Sequence, residues 1–405
     1  MAMAASSTTA LSNSSSLHLS ELAPGLVQSE IRAMTVACAD VGGINLAQGV
    51  CDTDPPHPVV EAGIQAIRDG YNIYVRLDGI AVLREAIAQK LASFNGIEAD
   101  PNANVLVTSG ATGALHAAIM ATLDPGDECI VFEPFYGYHT ASLASQRVKP
   151  TIVPLAPPDW TLDLDRLRAA ITPKTRGMIL NTPANPSGKV FNRVELEAIA
   201  ELAIEHDLFV FTDEIYEYFL YDGERHISLA TLPGMAERTI TLSGFSKTFS
   251  VTGWRLGYLT ASERWIRAIG YFHDLLYVCA PSPLQHGAAA GLLQLPQSFY
   301  RELSVEYQAK RDSFCAALAR AGMAPSIPTG AYYVLGDASR IPGANSRAKA
   351  RQLLADTGLA AVAGSAFFGT DAEGRNRGEN LLRFCFAKKD ADLTEACQRL
   401  DAYRR

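Results

Sequence analysis

From about residue 104 to residue 260 the chain alternates short apolar runs with longer amphipathic stretches, and this alternation limits the possible folds more than any other feature. Near-continuous apolar runs of four or five residues suit strands that are buried on both faces. The stretches 162–171 and 194–206 carry apolar residues at steps of three and four, which is typical of helices. The pattern therefore predicts an α/β fold with a largely parallel sheet covered by helices. The apolar runs are 105–108, 129–132, 177–180, 208–211, 239–242 and 255–259.

Outside this region the pattern changes, which predicts a second, smaller unit. Residues 1–20 are rich in Ala, Ser and Thr and are expected to form a disordered leader. We expect residues 21–55 to form an N-terminal arm that is part of the smaller domain, and residues 56–295 to form the large domain. Beyond residue 281 we expect one long helical region that runs through residue 320, followed by a glycine-punctuated α+β segment to residue 405. Residues 296–405 complete the small domain.

Composition and charge exclude several classes of protein. A chain of 405 residues with 48% hydrophobic residues can bury a substantial core. The net charge of −8 and the absence of a basic run argue against a nucleic-acid partner. No apolar run has membrane-spanning length and the N-terminus lacks a signal-peptide core, so we expect no membrane partner and a cytoplasmic protein. An anionic ligand would have to be bound by a few local arginines.

The cysteines exclude two further classes, the disulfide-stabilised proteins and the zinc proteins. The chain has seven cysteines, an odd number, and none of them forms a CxxC pair. Neither a disulfide framework nor a zinc site is indicated, and we predict no metal.

Residues 243–258, SGFSKTFSVTGWRLGY, carry the most specific chemical signal. Lys247 lies between small polar residues, and Arg255 follows eight positions later. This pattern suits a buried amine that condenses with a phosphorylated aldehyde. A surface lysine after a strand is the ordinary alternative, but other segments support the first interpretation.

Two of these segments follow predicted strands. Residues 108–115, TSGATGAL, open a helix whose unpaired N–H groups can bind a phosphate, and Arg255 can add a bidentate cation. A glycine-rich turn of this kind is usually only a turn when it stands alone. Asp213 ends an apolar strand, where a carboxylate is costly to bury without a cationic partner.

Three further segments add polar or aromatic groups. Residues 181–188, NTPANPSG, form a turn rich in Asn and Pro, and residues 133–138, EPFYGY, follow another strand. Arg383 stands alone in the apolar run 381–387, where a buried guanidinium requires an anion such as a substrate carboxylate or a structural acid.

In order and approximate spacing, these segments resemble the class I/II aminotransferases, the fold-type I enzymes of pyridoxal 5′-phosphate (PLP), from about residue 25 to residue 405. The resemblance implies a large domain with a mostly parallel seven-stranded sheet covered by helices, as in aspartate aminotransferase, plus a smaller α+β domain. It implies that Lys247 binds PLP as a Schiff base and acts as the catalytic base, with Asp213 at the pyridine nitrogen. The other cofactor-binding positions that it implies are Ala111, Thr112 and Arg255 at the phosphate, Tyr136 against the ring, and Asn185 and Tyr216 at the phenolic oxygen.

Substrate contacts and assembly are also implied by the resemblance. Gly49, Asn185 and Arg383 match substrate-binding positions, with Arg383 at the α-carboxylate. Tyr74 matches a tyrosine that reaches the phosphate from the partner subunit, which implies a homodimer with shared active sites. Gly244 is a departure, because many relatives have a phosphate-binding serine there; Ser243 and Ser246 lie close by.

The expected function is transfer of an amino group from an L-amino acid to a 2-oxo acid such as 2-oxoglutarate or pyruvate, as part of amino-acid metabolism. Ile31 and Cys279 favour a neutral or aromatic donor, although Arg32 and Arg76 could serve as distal cations for an acidic one. The alternatives are a PLP-dependent lyase or non-transaminating biosynthetic enzyme on the same fold, and a binding module without activity.

Overall fold

The computed structural model describes residues 19–23 and 30–403. The predicted leader, residues 1–20, lies outside the described residues except for Leu19 and Ser20. The helices are α1 (Glu30–Asp40), α2 (His57–Arg68), α3 (Ala81–Lys90), α4 (Gly110–Thr122), α5 (Gly137–Ser145), α6 (Leu164–Ala170), α7 (Arg193–Glu205), α8 (Glu263–Tyr277), α9 (Ser282–Gln294), α10 (Gln297–Arg320), α11 (Ser346–Thr357) and α12 (Asp390–Ala402). The strands are β1 (Ile44–Asn45), β2 (Val105–Thr108), β3 (Glu128–Glu133), β4 (Lys149–Pro154), β5 (Thr175–Asn181), β6 (Phe209–Asp213), β7 (Thr239–Gly244), β8 (Gly257–Thr260), β9 (Pro325–Ser326), β10 (Tyr333–Asp337), β11 (Leu359–Ala360), β12 (Val362–Ala363) and β13 (Leu381–Cys385).

Seven strands form the large sheet, in the order β2-β8-β7-β6-β5-β3-β4. Strand β8 is antiparallel to its neighbours β2 and β7, and the remaining neighbours are parallel. The predicted mostly parallel α/β sheet is thus confirmed. The apolar pattern missed β4, because this edge strand begins with an exposed lysine, contains two prolines and is only partly buried.

The apolar residues of the central strands alternate between the two faces of the sheet. Val131 and Phe211 pack into one apolar cluster with helices α4 and α8, whereas Ile130 and Val210 belong to a second cluster with α7. Side chains point to opposite faces at every second residue of a strand, so a strand with helices on both sides needs an unbroken apolar run. The result is a layer of strands between two layers of helices.

A smaller antiparallel sheet, in the order β12-β13-β10-β9, is built from the C-terminal part of the chain. The N-terminal segment joins this part, since β1 pairs in parallel with β11. The single long helical region predicted after residue 281 is two helices, because the chain leaves α9 at Leu295 and Pro296 precedes α10. The predicted domain boundaries stay a prediction. Within the described residues no helix combines the length and the apolar character that crossing a bilayer requires.

A buried charge pair lies between α3 and the segment after β6. The Lys90 ammonium lies 2.5 Å from Glu217 Oε2 and donates to Asn95 Oδ1 at 2.7 Å. Asn95 in turn donates to the same Glu217 oxygen at 2.9 Å. Burial disfavours the charged amine, yet the Glu217 carboxylate holds the pKa of Lys90 above its usual value. Each charge is therefore stable in the interior because the other is present.

We expect Lys90→Met to lower the free energy of unfolding by about 3 kcal/mol, because it leaves the Glu217 carboxylate buried without its cation. Urea unfolding followed by circular dichroism measures the change. The matched control is Lys389→Met, which breaks the exposed pair of Lys389 with Asp54 and should cost less than about 1 kcal/mol. Equal effects of the two substitutions would contradict the importance of burial.

Candidate active site

A cleft of about 600 Å³ opens at the carboxyl ends of the parallel strands of the large sheet. This is where open α/β sheets bind ligands, since loops and helix N-termini converge there. The structure brings nearly all the predicted site residues to this cleft; Tyr74 is the exception. The predicted residues that line it are Gly49, Ala111, Thr112, Tyr136, Asn185, Asp213, Tyr216, Lys247, Arg255 and Arg383.

Lys247 lies three residues after β7 and extends into the cleft. Its Nζ donates a hydrogen bond to the Gly49 carbonyl at 2.8 Å and lies 5.8 Å from the ring centre of Tyr216. Burial lowers the pKa of Lys247 below the usual value of lysine. The neutral amine, which is the form that attacks a carbonyl carbon and accepts a proton, is therefore available at a lower pH than in a surface lysine.

Asp213 is the last residue of β6, and a neighbouring histidine contacts its carboxylate. His139 Nε2 lies 2.9 Å from Asp213 Oδ2, and the Asp213 carbonyl accepts a hydrogen bond from Asn181 Nδ2 at 2.9 Å. The sequence prediction missed His139. Nothing in its local pattern separates it from a core histidine, because its contact with Asp213 spans 74 residues of chain.

Asn185 and Arg383 form a second polar group. The Asn185 backbone N–H donates to Asn181 Oδ1 at 2.7 Å, which fixes the turn after β5. The Arg383 guanidinium is completely buried, donates to Asn185 Oδ1 at 3.2 Å and also donates to the Ala47 carbonyl. Its Nε has no hydrogen-bond partner within the described part of the chain. A buried cation held only by neutral oxygens is suited to an anionic ligand.

The start of α4 and Arg255 form an anion cradle. Gly110 has a φ of +76°, and a Cβ there would lie 2.7 Å from Arg255 Nη2. A Cβ on Gly257 would lie 2.6 Å from the backbone nitrogen of Ala111. Glycine at position 110 leaves room for the Arg255 guanidinium, and glycine at position 257 lets strand β8 approach the start of α4. The cradle offers N–H donors and one cation to a phosphate.

The two serines near Gly244 face different surroundings, and one of them lines the cleft. A Cβ at position 244 would lie 2.9 Å from the Gly257 Cα, so this position has little room for a side chain. Ser243 Oγ donates to Glu217 Oε1 at 2.7 Å and thus belongs to the buried charge pair of Lys90 and Glu217. Ser246 lines the cleft instead.

Two tyrosines meet at the centre of the cleft. The hydroxyl oxygens of Tyr216 and Tyr333 lie 2.8 Å apart. Burial raises the pKa of Tyr216 well above its usual value, so its hydroxyl stays protonated and able to donate. Tyr333 was absent from the sequence prediction, because the Tyr332–Tyr333 pair looks like core packing in a short apolar strand.

Among the two distal cations that the sequence left open, Arg32 lines the cleft beside Ile31. Arg76 does not, and its guanidinium is bound by both carboxylate oxygens of Asp78 at 2.9 and 2.8 Å. Cys279 lines a second cavity of about 560 Å³, outside the main cleft.

The residues of the cleft fit PLP. The cradle at Gly110 and Arg255 accommodates a phosphate, Asp213 provides a carboxylate for a protonated ring nitrogen, and Lys247 provides an amine for the aldehyde. A large mixed sheet with such a cleft at its carboxyl edge is the architecture of the fold-type I PLP enzymes.

Comparison with known proteins identifies the family. The family model of "Aminotransferase class I and II" matches residues 41–400, so the chain belongs to the class I and II aminotransferases, which use PLP. It is 36% identical to a probable N-succinyldiaminopimelate aminotransferase of Mycobacterium tuberculosis, over 91% of this chain and 94% of the relative. The solved structure of that M. tuberculosis enzyme superposes with a TM-score of 0.91 at 35% identity and covers 96% of this chain and 100% of its own. Human kynurenine–oxoglutarate transaminase 3 is 35% identical over 91% of this chain and 87% of its own. The protein is an aminotransferase.

Proposed function

We propose that this aminotransferase moves the amino group of L-amino acids with neutral or aromatic side chains to a 2-oxo acid, with Lys247 as the residue that binds PLP and transfers the proton. The observation that carries the proposal is the Lys247 amine in the cleft, partly buried and with a lowered pKa, next to Tyr216. Bound PLP supplies a ring that withdraws electrons from the substrate Cα.

The residues around Lys247 have complementary proposed roles. The Lys247 amine would hold the cofactor at its aldehyde, and the same amine would accept the substrate Cα proton and return it. Asp213, oriented by His139, keeps the proton on the ring nitrogen. Tyr136 packs against the ring face, while Ala111, Thr112 and Arg255 bind the phosphate. Tyr216 and Asn185 donate to the phenolic oxygen.

Arg383 binds the substrate α-carboxylate, which completes the hydrogen bonding of its buried guanidinium. Gly49 lies beside the substrate and its carbonyl accepts the hydrogen bond from Lys247. Arg383 thereby holds the substrate at its carboxylate, which helps to orient the Cα–H bond relative to Lys247.

Lys247→Ala is expected to lower turnover by about four orders of magnitude, because it removes both the covalent attachment and the base. Borohydride reduction followed by peptide mapping should place the cofactor on Lys247 in the wild-type protein and on no residue in the variant. Lys149→Ala, at the exposed start of edge strand β4, is the control for a general effect of losing a lysine. A label on another lysine would contradict the proposal.

The same preparation distinguishes the reaction types. Accumulation of pyridoxamine phosphate when an amino acid is added alone supports transamination. Release of pyruvate and ammonia would instead show a lyase.

The choice of acceptor can be argued from the cations of the cleft. Among the described residues that line it, the cationic side chains are Arg32, Lys247, Arg255 and Arg383. The last three have proposed roles at the aldehyde, the phosphate and the α-carboxylate. Arg32 is exposed at the end of α1 that borders the cleft, and it is suited to the second carboxylate of 2-oxoglutarate. The name of the human relative also includes oxoglutarate.

Arg32→Gln should raise the KM for 2-oxoglutarate about tenfold, because it removes one charge-assisted contact. The KM for pyruvate, which lacks the second carboxylate, should change less than about twofold. Arg76→Gln is the matched control, since this arginine is bound to Asp78 outside the cleft. Equal changes for both acceptors would exclude Arg32 as the distal cation.

We also propose a homodimer with shared active sites. Ile73 and Tyr74 leave 77% and 79% of their surface exposed, and Tyr271 and Leu275 of α8 leave 61% and 63%. Tyr74 borders the second cavity together with Ser109, which lies just before the anion cradle, and Tyr277 of α8. Exposed apolar groups of this size mark protein interfaces. A twofold interface here would bring Tyr74 of one subunit to the phosphate site of the other.

Hybrid dimers test this arrangement. Lys247→Ala and Tyr74→Ala chains are mixed in equal amounts, unfolded and refolded together, then assayed at a cofactor concentration that saturates only the wild-type protein. If Tyr74 acts across the interface, half of the dimers are hybrids with one intact site each, and activity should return to about a quarter of the wild-type value. No recovery above the Tyr74→Ala protein alone would show that Tyr74 acts within its own chain.

A further inference from the structure

We propose that Tyr333 is a positioning residue: its hydroxyl donates to the Tyr216 oxygen, so that the single Tyr216 proton is directed to the phenolic oxygen of the cofactor. The inference rests on the proposed role of Tyr216. Tyr333 was not among the site residues predicted from the sequence. Its proposed effect on the cofactor is indirect, by way of its hydrogen bond to Tyr216.

The direction of the hydrogen bond follows from counting protons. The two hydroxyl oxygens lie 2.8 Å apart, and either hydroxyl could donate when the pair is considered alone. A tyrosine hydroxyl has one proton and two acceptor lone pairs. Once Tyr216 donates to an oxygen of the cofactor, its proton is used. The proton between the two tyrosines must then come from Tyr333.

The surroundings hold Tyr333 in this position. It is the first residue of β10 and is paired with Cys385 of β13. The Arg383 guanidinium lies over its ring, 4.5 Å from the ring centre. On the other side, a Cβ at Gly49 would overlap the Tyr333 hydroxyl. The Tyr333 hydroxyl therefore occupies space that is free only because residue 49 has no side chain. The Tyr333 ring cannot turn without disturbing Arg383.

Donation from Tyr333 has a chemical consequence for Tyr216. Hydrogen bonds in a chain polarise one another, so a hydroxyl whose oxygen accepts a bond is a stronger donor. Only 4% of Tyr216 and 2% of Tyr333 are exposed, so the cavity around the pair has a low local dielectric, which increases the effect. A stronger donor at the phenolic oxygen draws electron density away from the nitrogen that joins Lys247 to the cofactor. That nitrogen becomes less basic.

The test is Tyr333→Phe, which removes the hydroxyl and keeps the ring under Arg383. In the cofactor-loaded protein, the visible absorption band is titrated with pH in the absence of substrate. The midpoint of this titration reports the protonation of the nitrogen that joins Lys247 to the cofactor. It should rise by about 0.5 pH unit, because Tyr216 becomes a weaker donor and that nitrogen becomes more basic. Tyr300→Phe is the matched control: it removes another buried hydroxyl, which donates to the Gly291 carbonyl away from the cleft. Its midpoint should equal that of the wild-type protein.

A double variant separates positioning from a general structural effect. If Tyr333 acts only through Tyr216, adding Tyr333→Phe to Tyr216→Phe should not move the midpoint further. An unchanged midpoint in Tyr333→Phe alone, or an equal added shift in the double variant, would overturn the inference. If no absorption band forms on Lys247 of the wild-type protein, the proposed function itself fails.

A second measurement needs no variant. In a crystal structure of the cofactor-loaded wild-type protein, the Tyr333 hydroxyl should remain within about 3.0 Å of the Tyr216 oxygen and have no other acceptor. A separation above about 3.5 Å, or a Tyr333 hydroxyl that donates elsewhere, would overturn the inference even if Tyr333→Phe failed to fold.

Discussion

The burial of one guanidinium is the constraint on which the geometry of the cleft depends. Arg383 belongs to the small sheet, but it donates to Asn185 in the turn after β5 of the large sheet and to the Ala47 carbonyl of the N-terminal segment. A buried charge cannot give up such partners without a large penalty, so three distant segments are held together at one point. Tyr333 packs beneath the same guanidinium. The residues proposed to bind the substrate carboxylate and those proposed to bind the cofactor are thereby coupled through a single side chain.

Local charge, not overall charge, determines what this cleft can bind. The chain has a net charge of −8, yet the cations Arg32, Lys247, Arg255 and Arg383 converge on one cavity. Three of them face different parts of it: Lys247 donates to Gly49, Arg255 lies next to Gly110 and Arg383 contacts Asn185. Asp213 supplies the balancing carboxylate. This distribution is suited to a ligand with several separate anionic groups and one cationic ring.

Several parts of the site could be predicted from the sequence because their signals are local. Lys247, Asp213 and Asn185 stand in short motifs at the ends of strands, and parallel strands bring such ends to one edge of a sheet. The strands themselves were visible as apolar runs, except for β4, whose exposed lysine and prolines hide it. The role of Tyr74 could be suggested only by resemblance, since in the single chain it lies outside the cleft.

The sequence by itself determined the α/β fold and the order of the strand-end motifs, because hydrophobic periodicity and turn residues act over a few neighbouring positions. The family was indicated by the resemblance of those motifs and is shown by the match to the family model. Only the tertiary structure decided which distant side chains meet. It paired His139 with Asp213 and Tyr333 with Tyr216, and it placed Arg32 at the cleft while Arg76 is bound by Asp78. It also placed Ser246 in the cleft and directed Ser243 to Glu217. These choices depend on the packing of elements far apart in the chain, which no local pattern contains.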